Sequence, residues 1–318
     1  MEYRSLGNTG LSVSSLSFGA SSLGSVFREV SEKEGIKTVK TAVDHGINYI
    51  DVSPYYGLTK AEATLGKAML ELNRYEIVLS SKAGRYGKED FDFSYKRIIR
   101  SAEESLERLH TDYLDLLFLH DIEFGDYAQV IEEGIPAMQQ LKKEGKIRFY
   151  GVSALPLPVF TKIIEDVSLD LILSYCHYSL NDTSLLELVP LLEKKGIGLV
   201  NASPLSMGLL HNGPIADWHP ADREIIELCK ETAAYCKEQG EDIAKLAIQF
   251  STSNRHIPTT LISTASETNI VKNINWLKEP MNKELIEEVH KRLAPIQNRT
   301  WPSGKKEYHQ AISSIGGV

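Results

Sequence analysis

The chain is poor in cysteine: its 318 residues carry three, Cys176, Cys229 and Cys236, and no two of them form a CxxC pair. This excludes a disulfide-stapled scaffold and a cysteine-rich metal knuckle, and it fits a reducing compartment, so a cytoplasmic location is expected. Cys229 and Cys236 stand seven apart in a predicted helix, where they share a face without bonding. Cys176 and His177 adjoin, but successive strand residues point to opposite faces, which argues against joint metal ligation. No metal site is expected. Any apolar run near the roughly twenty residues of a membrane helix is also missing. The opening MEYRSLGNTG lacks the apolar core of a secretory signal. The formal net charge is −8, with no dense Lys/Arg stripe, so neither nucleic acid nor an anionic membrane is expected as a partner. One further absence concerns fold: after the first predicted strand the chain reads GASSLGS (19–25), and no strand-to-helix turn supplies G-x-G-x-x-G. A Rossmann dinucleotide site is therefore not supported.

What is present is a core-forming composition, 42% hydrophobic and 25% charged, and a repeated alternation of short apolar runs with longer amphipathic ones. Eight strands are predicted, at 15–19, 47–51, 77–82, 114–120, 148–153, 169–175, 197–203 and 259–263. Several are apolar throughout, as strands buried on both faces of a parallel sheet should be. Helical patterns occupy 32–46, 94–110, 127–145 and 184–196, several of them running into a terminating glycine at Gly46, Gly145 or Gly196. Eight such repeats without a compositional break favour one (β/α)₈ TIM barrel domain spanning 1–318 over an open doubly wound sheet. Residues 3–14 read as a β-hairpin turning at Gly7–Gly10, suited to plug the bottom of the barrel. Residues 204–222 form a long Gly/Pro/His-rich loop followed by an extra helix at 223–239, and a C-terminal extension without clear period begins at 295.

In barrels of this kind the reactive groups gather at the C-terminal strand ends. The second, third and fourth predicted strands end on Asp51, Lys82 and His120, and Tyr56 follows Asp51 in DVSPYYG. Singly, a strand-end Asp more often caps a helix, a Lys is more often solvated and a His is more often structural. Together they form a working device. A phenol titrating near 10 must come down towards about 7–8 to trade protons with an alcohol or carbonyl near neutrality, about 3–4 kcal/mol of phenolate stabilisation. A neighbouring ammonium can supply it. That ammonium in turn needs a carboxylate to stay charged in a barrel mouth, and His120 can orient the substrate oxygen.

This constellation resembles the catalytic tetrad of the aldo-keto reductases: Asp51-x₄-Tyr56, Lys82 after VLSS, and His120 in LFLHD. The opening YRSLGNTGLSVSSLSFGA resembles that family's hairpin and first strand, and GVSA (151–154) and ASPLSMGLL (202–210) resemble its cofactor segments. The resemblance covers nearly the whole chain and implies a barrel that binds a nicotinamide cofactor across its strand ends without a Rossmann fold. Carried over by motif, Ser153 would bond the carboxamide, Ser203, Pro204, Leu205, Ser206 and Gly208 would wrap the pyrophosphate, and Ser263, Thr264, Asn269 and Asn273 would hold the adenosine half. The chain departs from the pattern at Ala154, where an Asn is common, and at Ala202, where an aromatic often stacks. It departs again in LILSYCH, which lacks the usual Gln and offers Ser174 as its substitute.

Members preferring NADP commonly carry Lys and Arg where this chain has Ser263 and Asn269. A 2′-phosphate wants charge-assisted partners, so the resemblance implies NAD, with the direction of Lys272 left to geometry. The stretch from LILSYCHYSL to SPLSMGLL and the tail QNRTWPSGKKE resemble the L-galactose and L-fucose (D-threo-aldose) dehydrogenase branch. That likeness implies oxidation of the anomeric hydroxyl of a free sugar to an aldonolactone, with Tyr56 as general base. Tyr86, Asp121 and Trp301 are the candidates for the sugar pocket, Trp301 having packing of the tail against the barrel as its alternative. The competing readings are an NADPH-dependent aldehyde reductase on the same site and a cofactor-binding sensor with little turnover. A metal-dependent hydrolase would need more clustered ligands than Asp51 and His120.

Overall fold

The computed structural model describes residues 1–26 and 28–309. It is a closed barrel of eight parallel strands: β3 (Leu16–Gly19), β4 (Tyr49–Asp51), β5 (Val78–Ala83), β6 (Leu114–Leu119), β7 (Ile147–Ala154), β8 (Leu171–Tyr175), β9 (Gly198–Ala202) and β10 (Thr259–Ser263). The last pairs with the first. Before them, β1 (Tyr3–Ser5) and β2 (Ser12–Ser14) pair antiparallel as the expected hairpin. The eight predicted strands are thus the eight barrel staves, because β-branched and leucine-rich runs buried on both faces can serve as little else.

Strand alternation sorts the side chains into an inner and an outer set. Tyr49, Val78, Leu116, Phe118, Leu171, Leu173, Val200 and Leu261 fill the barrel, and Leu6, Leu11 and Val13 of the hairpin close its lower end in the same apolar cluster. The plug fits because Gly7 turns with φ +53° against Gly198; a β-carbon there would stand 2.4 Å from the Gly198 nitrogen. The alternate strand residues, among them Phe18, Ile50, Leu79, Leu117, Val152 and Ile172, pack outward beneath the helices.

The helices are α1 (Glu32–Asp44), α2 (Lys60–Met69), α3 (Tyr95–Leu109), α4 (Tyr127–Gln129), α5 (Ile135–Lys143), α6 (Leu157–Asp166), α7 (Val189–Lys195), α8 (Arg223–Glu238), α9 (Ile243–Ser253), α10 (Glu267–Trp276) and α11 (Lys283–Leu293). A π-helical turn at Val130–Gly134 joins α4 to α5, so the single helix expected at 127–145 is interrupted. The pattern at 184–196 likewise divides into a 3₁₀ turn, Ser184–Glu187, and α7, which carries Pro190 in its first turn. Proline has no N–H to continue the preceding ladder. Helix α8 occupies the expected extra segment. With α9 and α11 it encloses a second apolar cluster containing Cys229, Cys236, Leu209, Leu210 and Trp301. No helix among the described residues is long and apolar enough to cross a membrane.

Candidate active site

The inward register, extended upward by two residues on each stave, delivers the polar groups to the C-terminal mouth. Tyr49 leads to Asp51, Ser80 to Lys82, Phe118 to His120, Gly151 to Ser153, Leu173 to Tyr175 and Leu261 to Ser263. Asp51 and Lys82 are 3% and 1% exposed, a burial that such charges tolerate only when paired. The Lys82 ammonium donates to Asp51 Oδ2 at 2.5 Å, to the Val52 carbonyl at 3.1 Å and to the Tyr56 hydroxyl oxygen at 3.1 Å. All three of its protons are committed, one of them to Tyr56. The other Asp51 oxygen accepts from Ser80 Oγ at 2.7 Å. Burial works against the Lys82 charge, but Asp51 and Tyr56 outweigh it and hold the ammonium pKa above its ordinary value.

The turn Val52–Gly57 carries Tyr56 over this pair. Burial raises the phenol, and Asp51 adds to it; the Lys82 charge and hydrogen bond pull in the opposite direction without prevailing. Lys82 therefore exerts the expected pull on Tyr56. The net fall expected from the sequence does not occur in the protein alone, first because burial disfavours the phenolate and then because the carboxylate that keeps Lys82 charged also opposes it.

His120 is buried and its pKa lies well below the ordinary value, from burial first and then the charges of Lys82 and Arg85. It is a neutral imidazole. Its Nδ1 lies 3.0 Å from Ser53 Oγ, and Ser53 Oγ accepts the Tyr55 N–H. With Ser53 as the donor, Nε2 carries the ring proton and faces Asp121 Oδ2 at 3.6 Å. The Tyr56 and His120 rings meet edge to face, centroids 5.9 Å apart.

Beside the tetrad lies a second ionic group. Asp121, in the left-handed conformation at φ +52°, pairs with Arg85, whose other nitrogen donates to the Tyr55 hydroxyl at 3.1 Å and whose guanidinium stacks 3.9 Å over the Tyr55 ring. Burial raises the Asp121 carboxyl above its ordinary value, with Arg85 pulling against it without prevailing. Arg85, Tyr55 and Tyr175 were not singled out from the sequence. The alternation Leu171–Leu173–Tyr175 carried the signal for Tyr175, whereas nothing local distinguishes Arg85 from a solvated surface residue. Tyr86 is turned away: its hydroxyl accepts the Gly84 N–H at 3.0 Å and Arg97 of α3 covers its ring at 3.7 Å. Trp301 packs edge-on against His219 with centroids 4.9 Å apart, inside the second apolar cluster rather than against the tetrad.

On the neighbouring strand β7, Ser153 Oγ accepts the Asp121 N–H at 3.3 Å. Ser174 follows the outward parity of Ile172, and its buried hydroxyl has no hydrogen-bond partner among the described residues. The inward position at this strand end belongs to Tyr175. After β9 the backbone is left-handed at Ser203, Ser206, Met207 and Gly208, a run that costs about 1–3 kcal/mol per non-glycine residue and marks a loop held for a purpose. Ser206 is fastened from below by Asn181 at 2.6 Å, and its carbonyl is held by His219 Nε2 at 3.0 Å. Helix α10 starts directly beyond β10, capped by Ser266 onto the Asn269 N–H, and Thr264 accepts the Ser266 N–H. Ser263 meets Ser21 and Ser22, Asn269 is exposed and Asn273 half-buried. Lys272 is committed to Asp242 at 3.1 Å and lies over Trp276. A strained loop of hydroxyls and a helix N-terminus at adjacent strand ends suit an elongated anionic ligand, so the residues present fit a dinucleotide. Among the described residues no cluster of His, Cys, Asp and Glu is arranged to hold a metal.

The comparisons agree with this geometry. A profile described as the aldo/keto reductase family matches residues 15–293. The chain belongs to the aldo/keto reductase family. It is accordingly an oxidoreductase acting on CH–OH groups. Among characterised members it is 47% identical to L-galactose dehydrogenase of Arabidopsis thaliana, over 96% of this chain and 98% of that one. It is 34% identical to D-arabinose 1-dehydrogenase of Saccharomyces cerevisiae, over 92% and 94%. Among solved structures, the holo form of aldo-keto reductase AKR11C1 from Bacillus halodurans superposes with a TM-score of 0.78 at 27% identity, covering 98% of this chain and all of that one.

Proposed function

We propose that this aldo/keto reductase is an NAD-dependent aldose 1-dehydrogenase, oxidising the anomeric C1 hydroxyl of a free sugar of the L-galactose, L-fucose or D-arabinose type to its aldonolactone. The observation that carries the reading is near-full-length similarity at 47% identity to a protein named L-galactose dehydrogenase. The mouth geometry supports the chemistry. In its phenolate form, reached by losing the phenol proton to solvent, Tyr56 receives the C1 hydroxyl proton and is a phenol again, with its oxygen held by the charged Lys82 and Asp51 keeping that charge in place. His120, neutral and aimed by Ser53, donates from Nε2 to the sugar oxygen and fixes which face of C1 is presented. When bound, NAD supplies the hydride acceptor; Ser153, the 203–208 loop and the start of α10 would hold it. Asp121, ion-paired with Arg85, accepts a neighbouring sugar hydroxyl. NAD is favoured over NADP because the exposed face of α10 offers Asn269 where a 2′-phosphate would want a cation, and Lys272 is spent on Asp242.

The test is the initial rate of nicotinamide reduction with NAD or NADP and a panel of L-galactose, L-fucose, D-arabinose and other aldoses, with Tyr56→Phe alongside. Turnover with NAD that disappears in the variant is the expected result. Activity confined to NADPH-driven aldehyde reduction would overturn the cofactor and direction; tight cofactor binding with no turnover of any substrate would overturn the enzymatic reading of the site.

A further inference from the structure

Glu123 is a buried carboxyl that the proposed chemistry does not use. It lies in the 3₁₀ turn after β6, two residues beyond Asp121, and none of its surface reaches solvent. Its Oε1 accepts from the Leu155 N–H at 3.1 Å and from the Ser303 hydroxyl at 2.9 Å, and its backbone carbonyl accepts the Lys305 N–H at 3.0 Å. Between those two tail contacts Gly304 turns at φ +69° directly onto it; a β-carbon at 304 would lie 2.4 Å from both Glu123 Cγ and its carbonyl oxygen. Oε2 has no partner among the described residues. The covering over this carboxyl is the tail itself.

The same tail runs along one rim of the mouth. Asn298 bonds the β8 loop through the Asn181 carbonyl and the Thr183 N–H. Arg299 pairs with Asp222 and Glu224 at the start of α8, and Trp301 packs on His219, which holds the Ser206 carbonyl. The segment 298–305 thus ties the loop beside the ionic group to the loop after β9, and Glu123 is its anchor at the Asp121 end.

We propose that Glu123 is a positioning residue: as a neutral carboxylic acid it latches the C-terminal tail onto the loop after β6, and its ionisation releases the tail. The groups facing it argue for the release. Asp121 in its own loop is ion-paired with Arg85, which is thereby taken, and Tyr175 of β8 and Tyr308 of the tail are phenols held protonated by burial. Asp126, capping α4, and Lys162 of α6 lie near Tyr308, and Lys162 pairs with Glu307 at 3.9 Å. Burial first, then the Asp121 charge, push Glu123 up to about 8. Among the described residues Glu123 forms no ion pair and its Oε2 has no hydrogen-bond partner, so a carboxylate formed there reaches hydration by the lifting of 303–305.

The experiment is hydrogen–deuterium exchange of the peptides spanning 150–157 and 299–309 in the full chain, at about pH 6.5 and about pH 9.5, corrected for intrinsic exchange. For an acid titrating near 8 the ionised form outnumbers the neutral one by about thirtyfold at the higher pH, and protection of both peptides should fall by up to that factor. Glu123→Gln keeps the acceptor and cannot ionise, so its protection should be the same at both pH values. Ser303→Ala removes one latch contact without touching the carboxyl and should loosen 299–309 at both. Equal pH dependence in wild type and Glu123→Gln would overturn the proposal. If the glutamine variant does not fold, wild-type protection unchanged between the two pH values, or undiminished in Ser303→Ala, would overturn it instead. Exchange needs no substrate, so it succeeds or fails independently of the aldose reading. Sugar KM measured over the same pH range adds the consequence for turnover, several-fold weaker above about 8 in wild type and flat in Glu123→Gln.

Discussion

The two sides of the barrel mouth are built on opposite electrostatic plans. Around β4, β5 and β6, charges are buried and fully paired: Lys82 with Asp51, Arg85 with Asp121, every ammonium proton of Lys82 committed. Around β7, β9 and β10, the groups are neutral hydroxyls on a backbone held in left-handed turns, leading to a helix N-terminus. The charged side suits moving a proton, because fixed charges in a dry site act on Tyr56 without solvent screening. The neutral side suits a ligand that brings its own charge and wants directional donors. The electrostatics also show why Tyr56 stays a phenol in the protein alone: burial disfavours the phenolate most, and Asp51 offsets part of what Lys82 gives.

The largest expected effect comes from breaking the charged side. Tyr56→Phe should lower aldose oxidation by about 10²–10⁴-fold while leaving cofactor affinity within a few-fold, read by steady-state rates and cofactor titration. The pH profile sharpens the same point. With Tyr56 raised above its ordinary value, oxidation should climb with pH through the neutral and into the alkaline range, since the base form grows as pH rises. His120, lowered well below its own, should contribute no limb between pH 6.5 and 9. A limb in that interval that vanished in His120→Asn would contradict the assignment of a neutral imidazole. Next in size, Asp121→Asn removes the charged acceptor and leaves Arg85 buried and unpaired; sugar kcat/KM should fall by about 10–100-fold, corresponding to about 1.5–3 kcal/mol. On the neutral side Asn269→Arg should move cofactor preference towards NADP by about tenfold, measured as the ratio of kcat/KM for the two dinucleotides. The smallest effect is expected from Ser153→Ala, a few-fold rise in the NAD KM, one neutral hydrogen bond contributing about 0.5–1.5 kcal/mol. If Ser153→Ala proved costlier than Asp121→Asn, the division between the two sides would be drawn in the wrong place.

Much of the fold was legible because each stave announces itself locally. Leu114–Leu119 and Leu171–Tyr175 are apolar runs that a parallel barrel buries on both faces, and their order along the chain leaves few ways to close. The tetrad was legible for a related reason: Asp51, Lys82 and His120 end consecutive staves, so sequence order already places them side by side. Ser174 shows where such reading falters. A one-residue difference in parity sends its hydroxyl outward and brings Tyr175 in, and that parity is set by pairing with β7 and β9, not by the residue itself. Tyr86 and Arg85 are a similar pair, adjacent on one loop, with Arg97 of α3 and Asp121 of the next loop deciding which of them faces the mouth.

By itself, the order of apolar runs, glycine stops and strand-end polar residues determined the closed barrel, the hairpin plug and the gathering of Asp51, Tyr56, Lys82 and His120 at one end of it, because those depend on periodicity and on neighbours in sequence. The tertiary structure decided what depends on distant partners. It left Tyr56 raised rather than lowered, chose Arg85 over Tyr86, packed Trp301 on His219 and buried Glu123 beneath residues 303–305. The physical reason is that pKa, burial and side-chain direction are properties of a three-dimensional environment, assembled here from loops up to 180 residues apart.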